Sequence, residues 1–139
     1  MKKLIITLTL LASFFSTAAI FEKFNFIEAS ELYSWIKANK PLTIVDIQIA
    51  KEFNHHHIPG SIETNAYPVK SQQDRDKLLP ALSHYKENQS QVVIVCPRGK
   101  GGAKRTYTFL KENGIPDEKL FILAGGMAQW PYKELTQNK

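Results

Sequence analysis

The chain has 139 residues, with 18 Lys and Arg against 13 Asp and Glu, a formal charge of +5 and one cysteine. That length carries one core and one domain, and a lone cysteine excludes an internal disulfide. The basic residues are scattered rather than grouped, which argues against a nucleic-acid-binding arm and leaves ordinary solubilising charge, with a slight bias toward small anionic substrates.

Met1-Lys2-Lys3 is a positive n-region, and Leu4 to Phe15 is apolar apart from Thr7, Thr9 and Ser13. Ser16-Thr17-Ala18-Ala19 then offers small residues for cleavage. Residues 1–19 are expected to be a secretory signal peptide, because the apolar stretch falls short of the ~20 residues that span a bilayer. No cysteine follows it, so no lipid anchor is expected. The mature protein is expected to be periplasmic or secreted, free of the membrane, with its domain at residues 22–135.

Phe24 to Ile27 reads as a short strand. Leu32, Trp35 and Ile36 fall at helical spacing, with Ser30 or Glu28 as the cap and Asn39-Lys40-Pro41 as the stop. Leu42 to Ile47 is a nearly continuous apolar run, the pattern of a buried parallel strand. Ala50 to His55 makes one or two helical turns, His57 to Gly60 a turn, and Ser61 to Thr64 a short strand. Lys77 to Leu82 belongs to a helix. Gln91 to Val95 is a buried strand, and a helix follows from Ala103, closed by Asn113-Gly114. Leu120 to Leu123 is a further strand, and Ala124 to Pro131 turns into a last short helix. This alternation implies an α/β fold with a central parallel sheet and helices on both faces.

Ligands in such folds bind beyond the C-terminal ends of strands, and Cys96 stands at one. Pro97-Arg98-Gly99-Lys100-Gly101-Gly102-Ala103 carries the chain from it into the next helix. Backbone N–H groups and a helix N-terminus gathered near a sulfur favour the thiolate, the reactive form. An exported lone cysteine is buried and inert, paired between chains, or reactive; the glycine-rich loop points to the last.

Four segments in order carry a family resemblance. They are Ile44-Val45-Asp46-Ile47-Gln48, then Phe53 through His57-Ile58-Pro59-Gly60-Ser61-Ile62, then Val93-Ile94-Val95-Cys96-Pro97-Arg98-Gly99, and last Phe121 through Gly125-Gly126 to Trp130. Together they resemble a single-domain rhodanese, a sulfurtransferase family, from about Phe24 to Leu135. The resemblance implies a five-stranded sheet and makes Cys96 the nucleophile. Cys96 would take the outer sulfur of thiosulfate, polysulfide or a similar donor, hold it as a persulfide, and pass it to a thiol, cyanide or a protein partner. It also implies that the amides of Arg98, Gly99, Lys100, Gly101, Gly102 and Ala103 surround the anionic sulfur, with no cofactor or metal.

The chain departs from the family pattern in three ways. Gly101 and Gly102 stand where many rhodaneses place Arg and then Ser. Gly114 lies one residue further from Cys96 than usual, which implies a loop one residue longer. Gln48 replaces the arginine of the Asp-x-Arg segment. Anion binding then falls to Arg98 or Lys100, with Lys104, Arg105 and the backbone as further candidates. The related cell-cycle tyrosine phosphatases also have the longer loop but end it in Arg; here that place is Gly102, and no leaving-group acid can be named.

His55-His56-His57 cannot all point one way, and no cysteine completes a zinc set; His57 matches the family's structural turn histidine, and His55 and His56 read as surface. Asp46 reads as an acceptor that ties loops together, because a carboxylate near Cys96 opposes its ionisation. Gly125-Gly126 lacks a dinucleotide or phosphate-loop frame and reads as close packing of the last helix. Trp35, Trp130, Tyr107 and Phe109 read as core or core-edge residues. The expectation is an exported sulfurtransferase acting on a small anionic sulfur donor, with a redox protein as a further partner. The alternatives are a non-catalytic sulfur carrier or interaction module of an exported redox system, and a polysulfide-binding dimer feeding a respiratory reductase.

Overall fold

The computed structural model describes residues 23–139. The predicted signal peptide, residues 1–19, lies outside the described residues. Among them, no helix is long and apolar enough to cross a membrane.

Five strands form the sheet: β1 (Phe26–Ile27), β2 (Leu42–Asp46), β3 (Ile62–Glu63), β4 (Gln91–Val95) and β5 (Leu120–Leu123). Their order is β1-β5-β4-β2-β3, and every pairing is parallel. The helices are α1 (Ala29–Lys37), α2 (Ala50–His55), α3 (Gln72–Asp76), α4 (Leu79–Asn88) and α5 (Gly101–Glu112). The central strands read as continuous apolar runs because side chains alternate between two covered faces. On β4, Val92 and Ile94 join Tyr85 of α4 and Tyr107 and Leu110 of α5, whereas Val93 and Val95 join Leu32 of α1 and Met127. The expected α/β layering is therefore present, with the sheet as the middle layer.

Several boundaries differ from the sequence reading. Glu28 caps α1 without a side-chain bond, and Ser30 lies inside the helix, its carbonyl accepting from the Ser34 hydroxyl. α3 has no counterpart in that reading; Ser71 and Asp74 close it with a reciprocal capping box. α5 begins at Gly101, not Ala103. The predicted last helix is instead a single 3-10 turn at Met127–Gln129 with another at Lys133–Leu135. Gly125 and Gly126 have φ of +74° and +59°, so the backbone reverses before a helix can start.

Candidate functional site

Cys96 immediately follows β4, the strand between β2 and β5. Three bonds fix the backbone there. The Ile47 N–H donates to the Val95 carbonyl at 2.8 Å, the Met127 N–H to the Cys96 carbonyl at 2.9 Å, and the Ala128 N–H to the Pro97 carbonyl at 3.0 Å. The loop rests on Gly125 and Gly126. A Cβ on Gly126 would lie 2.7 Å from the Arg98 nitrogen and from the Pro97 carbonyl carbon, and would also overlap the Cys96 carbonyl. The pair is expected to pack the last helix; instead Gly126 lies against the cysteine loop, while a Cβ on Gly125 would meet the Gln129 side chain. Gly99 has φ +70°, and a Cβ there would lie 2.9 Å from the Gly125 nitrogen and the Leu123 carbonyl. Glycine is required at this position on both counts.

The turn at Gly99 aims its N–H at Cys96 Sγ, 2.7 Å away. Among the amides of Arg98 to Ala103, this is the one that bonds the sulfur. Lys100 caps α5, so Gly101, Gly102 and Ala103 form its first turn. Cys96 is free and buried, 2 % exposed, and belongs with Ile47, Ile94 and Ala103 to the core layer beneath α5. The sulfur thus accepts one backbone N–H, at the end of a strand and just ahead of a helix N-terminus.

Two clefts flank Pro97 and Arg98. One, of about 210 Å³, is lined by Glu52, Tyr67, Pro97, Arg98, Lys100, Gly101 and Gly102. The other, of about 200 Å³, is bounded by Gln48, Glu52, His56 and Met127 on its far side. Arg98 and Lys100 are exposed, and neither forms an ion pair among the described residues. Glu52 and Tyr67 reach this place without any mark in the sequence, and His56, expected at the surface, is half-buried and lines the second cleft. Glu52 lies in the first turn of α2, which follows β2, so its position at a strand-end cleft is readable in principle; nothing local marks Tyr67.

Asp46 ends β2, fully buried. It accepts the Gln48 N–H at 2.9 Å and Gln48 Nε2–H at 3.0 Å, and the same Gln48 amide donates to the His56 carbonyl at 3.2 Å. Thr64 donates its N–H and hydroxyl to the Asp46 carbonyl. Asp46 thereby ties three segments together, the role expected of it. Burial pushes its carboxyl up to about 7, opposed by the two Gln48 bonds and aided by the charges of Glu63 and Glu52. The arginine that family members place at Gln48 would supply a counter-charge; an amide supplies only hydrogen bonds.

His57 is buried, its Nδ1–H donating to the Phe53 carbonyl at 2.8 Å while its ring stacks on Phe53 at 3.9 Å. Among the described residues no three His, Cys, Asp or Glu side chains converge on one point. Trp35 packs edge-on against Phe121, and the indole N–H of Trp130 donates to the Leu135 carbonyl. Tyr107 is fully buried, and Phe109 lies against the same core layer.

The family model described as a rhodanese-like domain matches residues 28–133. A crystal structure of a rhodanese-like domain protein from Staphylococcus aureus is 27% identical, covers 83% of this chain and 98% of its own, and superposes with a TM-score of 0.61. Two more distant structures share the fold. One, from Saccharomyces cerevisiae, is described as a homologue of single-domain rhodanese and the Cdc25 phosphatase catalytic domain (18% identity, 76% and 78% coverage, TM-score 0.65). The other is a thiosulfate sulfurtransferase from Pseudomonas aeruginosa (19% identity, 84% of this chain and 20% of that one, TM-score 0.62). No curated protein sequence matches significantly. The match over residues 28–133, with the parallel sheet and the loop after β4, leads to one conclusion: the chain belongs to the rhodanese-like domain family.

Proposed function

We propose that the protein is a sulfurtransferase that carries sulfane sulfur as a Cys96 persulfide. The observation that carries this reading is the Gly99 N–H held 2.7 Å from Sγ, at the junction of the middle strand and the N-terminus of the twelve-residue helix α5. The Cys96 thiolate attacks the outer sulfur of thiosulfate or a polysulfide. The donor's S–S bond breaks, sulfite or a shortened polysulfide leaves with the bonding pair, and Cys96–S–S⁻ remains. Cyanide or an acceptor thiolate then attacks the outer sulfur and releases the Cys96 thiolate, so charge and electrons balance at each step. Arg98 and Lys100 supply positive charge at the cleft rim, and the loop stabilises the terminal sulfur. The sequence of residues 1–19 supports export to the periplasm or medium, and cell fractionation with an intact mass beginning at Ile20 checks it.

Incubation with thiosulfate or polysulfide followed by intact-mass measurement tests the chemistry. One added sulfur, absent in Cys96→Ser, is the expected result; no gain with either donor refutes it. A second reading, a sulfur carrier without turnover, is favoured by the 2 % exposure of Cys96 and the lack of an arginine at Gly101 or Gly102. Repeated thiocyanate release in the presence of cyanide distinguishes an enzyme from a carrier that loads once.

A further inference from the structure

Gly102 is the second residue of α5, and glycine is a poorer helix former than alanine. The space beside it is taken. A Cβ on Gly102 would lie 2.9 Å from Cδ2 and 3.1 Å from Cε2 of Tyr67, and 3.3 Å from Cδ1 of Ile47. The Tyr67 ring therefore fills the room that any side chain at residue 102 would need. Its backbone is held on both sides: the Tyr67 N–H donates to the Ile47 carbonyl at 2.9 Å, and Arg105 Nε–H donates to the Pro68 carbonyl at 2.9 Å.

The outer part of the ring is free, with the residue 42% exposed. It forms one wall of the 210 Å³ cleft, alongside the Pro97 ring and the Gly101-Gly102 backbone. The charged groups lining that cleft are Arg98, Lys100 and Glu52. Two cations against one carboxylate match a single negative charge, and an aromatic wall offers apolar surface to a carbon group. Thiosulfate and phosphate bring a denser charge and no carbon.

Resting on the sulfurtransferase reading above, we propose that Tyr67, in the cleft beside the loop that follows Cys96, is a specificity-determining residue that selects monoanionic organic sulfane donors over thiosulfate. Benzenethiosulfonate is the matching probe. The Cys96 thiolate attacks its terminal sulfur, the S–S bond breaks, benzenesulfinate leaves with the electron pair, and the persulfide forms. The chemistry is the same as with thiosulfate, where sulfite leaves, so the two donors differ in charge and in the ring.

The experiment measures the rate of sulfur loading onto Cys96 by intact mass with each donor in turn, in the full protein, in Tyr67→Ala and in Tyr67→Phe. The ratio of the benzenethiosulfonate rate to the thiosulfate rate is expected to exceed unity in the unaltered protein. It is expected to fall about fivefold to tenfold in Tyr67→Ala, the factor one aromatic contact supplies, and to be restored by Tyr67→Phe. A ratio unchanged by Tyr67→Ala, with both donors still loading, overturns the assignment and leaves the sulfurtransferase reading intact. Loading by neither donor overturns both.

Discussion

Replacing Asp46 with asparagine removes one buried carboxyl from the end of β2 and should flatten the protein's stability against pH. The Asp46 carboxyl rises from 3.8 to about 7 when buried, so between those values the folded chain holds a proton that the unfolded chain releases. Stability from this group is complete below the unfolded value and is lost as pH rises through the folded one. From about pH 5 to pH 8 the loss integrates to about 3 kcal/mol. With a urea slope of about 2 kcal/mol per M, the denaturation midpoint falls by about 1 to 2 M over that range. Glu63, Asp74 and Asp117 are held below their ordinary values, so their contributions are lost only at more acid pH. The asparagine introduced by Asp46→Asn would set its NH₂ against the Gln48 amide, which donates to both Asp46 and the His56 carbonyl. That mismatch lowers stability by an amount independent of pH, so the slope is the informative quantity. Urea midpoints at half-unit pH steps, taken as the difference between unaltered protein and variant, are expected to fall with pH. A flat difference would mean that Asp46 is already ionised when folded.

Gly126→Ala is expected to destabilise the fold by about 3 kcal/mol and to abolish sulfur loading, because φ +59° and ψ −159° form a conformation that glycine alone adopts readily and the new methyl meets loop backbone; urea denaturation and intact mass report the two effects. Tyr107→Phe deletes a hydroxyl that donates to Asp117 at 2.6 Å and accepts from Asn25 at 3.1 Å. The expected cost is about 1 to 2 kcal/mol, with the Asp117 carboxyl titrating closer to its ordinary value by NMR.

The middle of the sheet is legible in the sequence because β2, β4 and β5 are covered on both faces and so read as unbroken apolar runs. The cysteine loop is legible for a related reason: a strand, glycines and a helix in succession leave few geometries. α3 escapes a reading by hydrophobic period because Gln72 to Asp76 is wholly polar, although Ser71 and Asp74 spell its cap. The start of α5 reads two residues late because glycine is a poor helix former, and at residue 102 the preference yields to the Tyr67 ring. Tyr67 itself reaches the cleft through the path of the chain after β3, which no local pattern in its neighbourhood encodes.

The first strand pairs with the last: Phe26 stands beside Ile122 and Ile27 beside Leu123, while β4 bridges β5 to β2. A chain emerging N-terminus first therefore holds β1 without its neighbour until residue 123 has been delivered, and such long-range closure is slow to nucleate. Until then Val92, Val93 and Ile94 present an unpaired flank. The export proposed above suits that delay, since a polypeptide that cannot complete its architecture early stays loose enough to thread through a secretion channel.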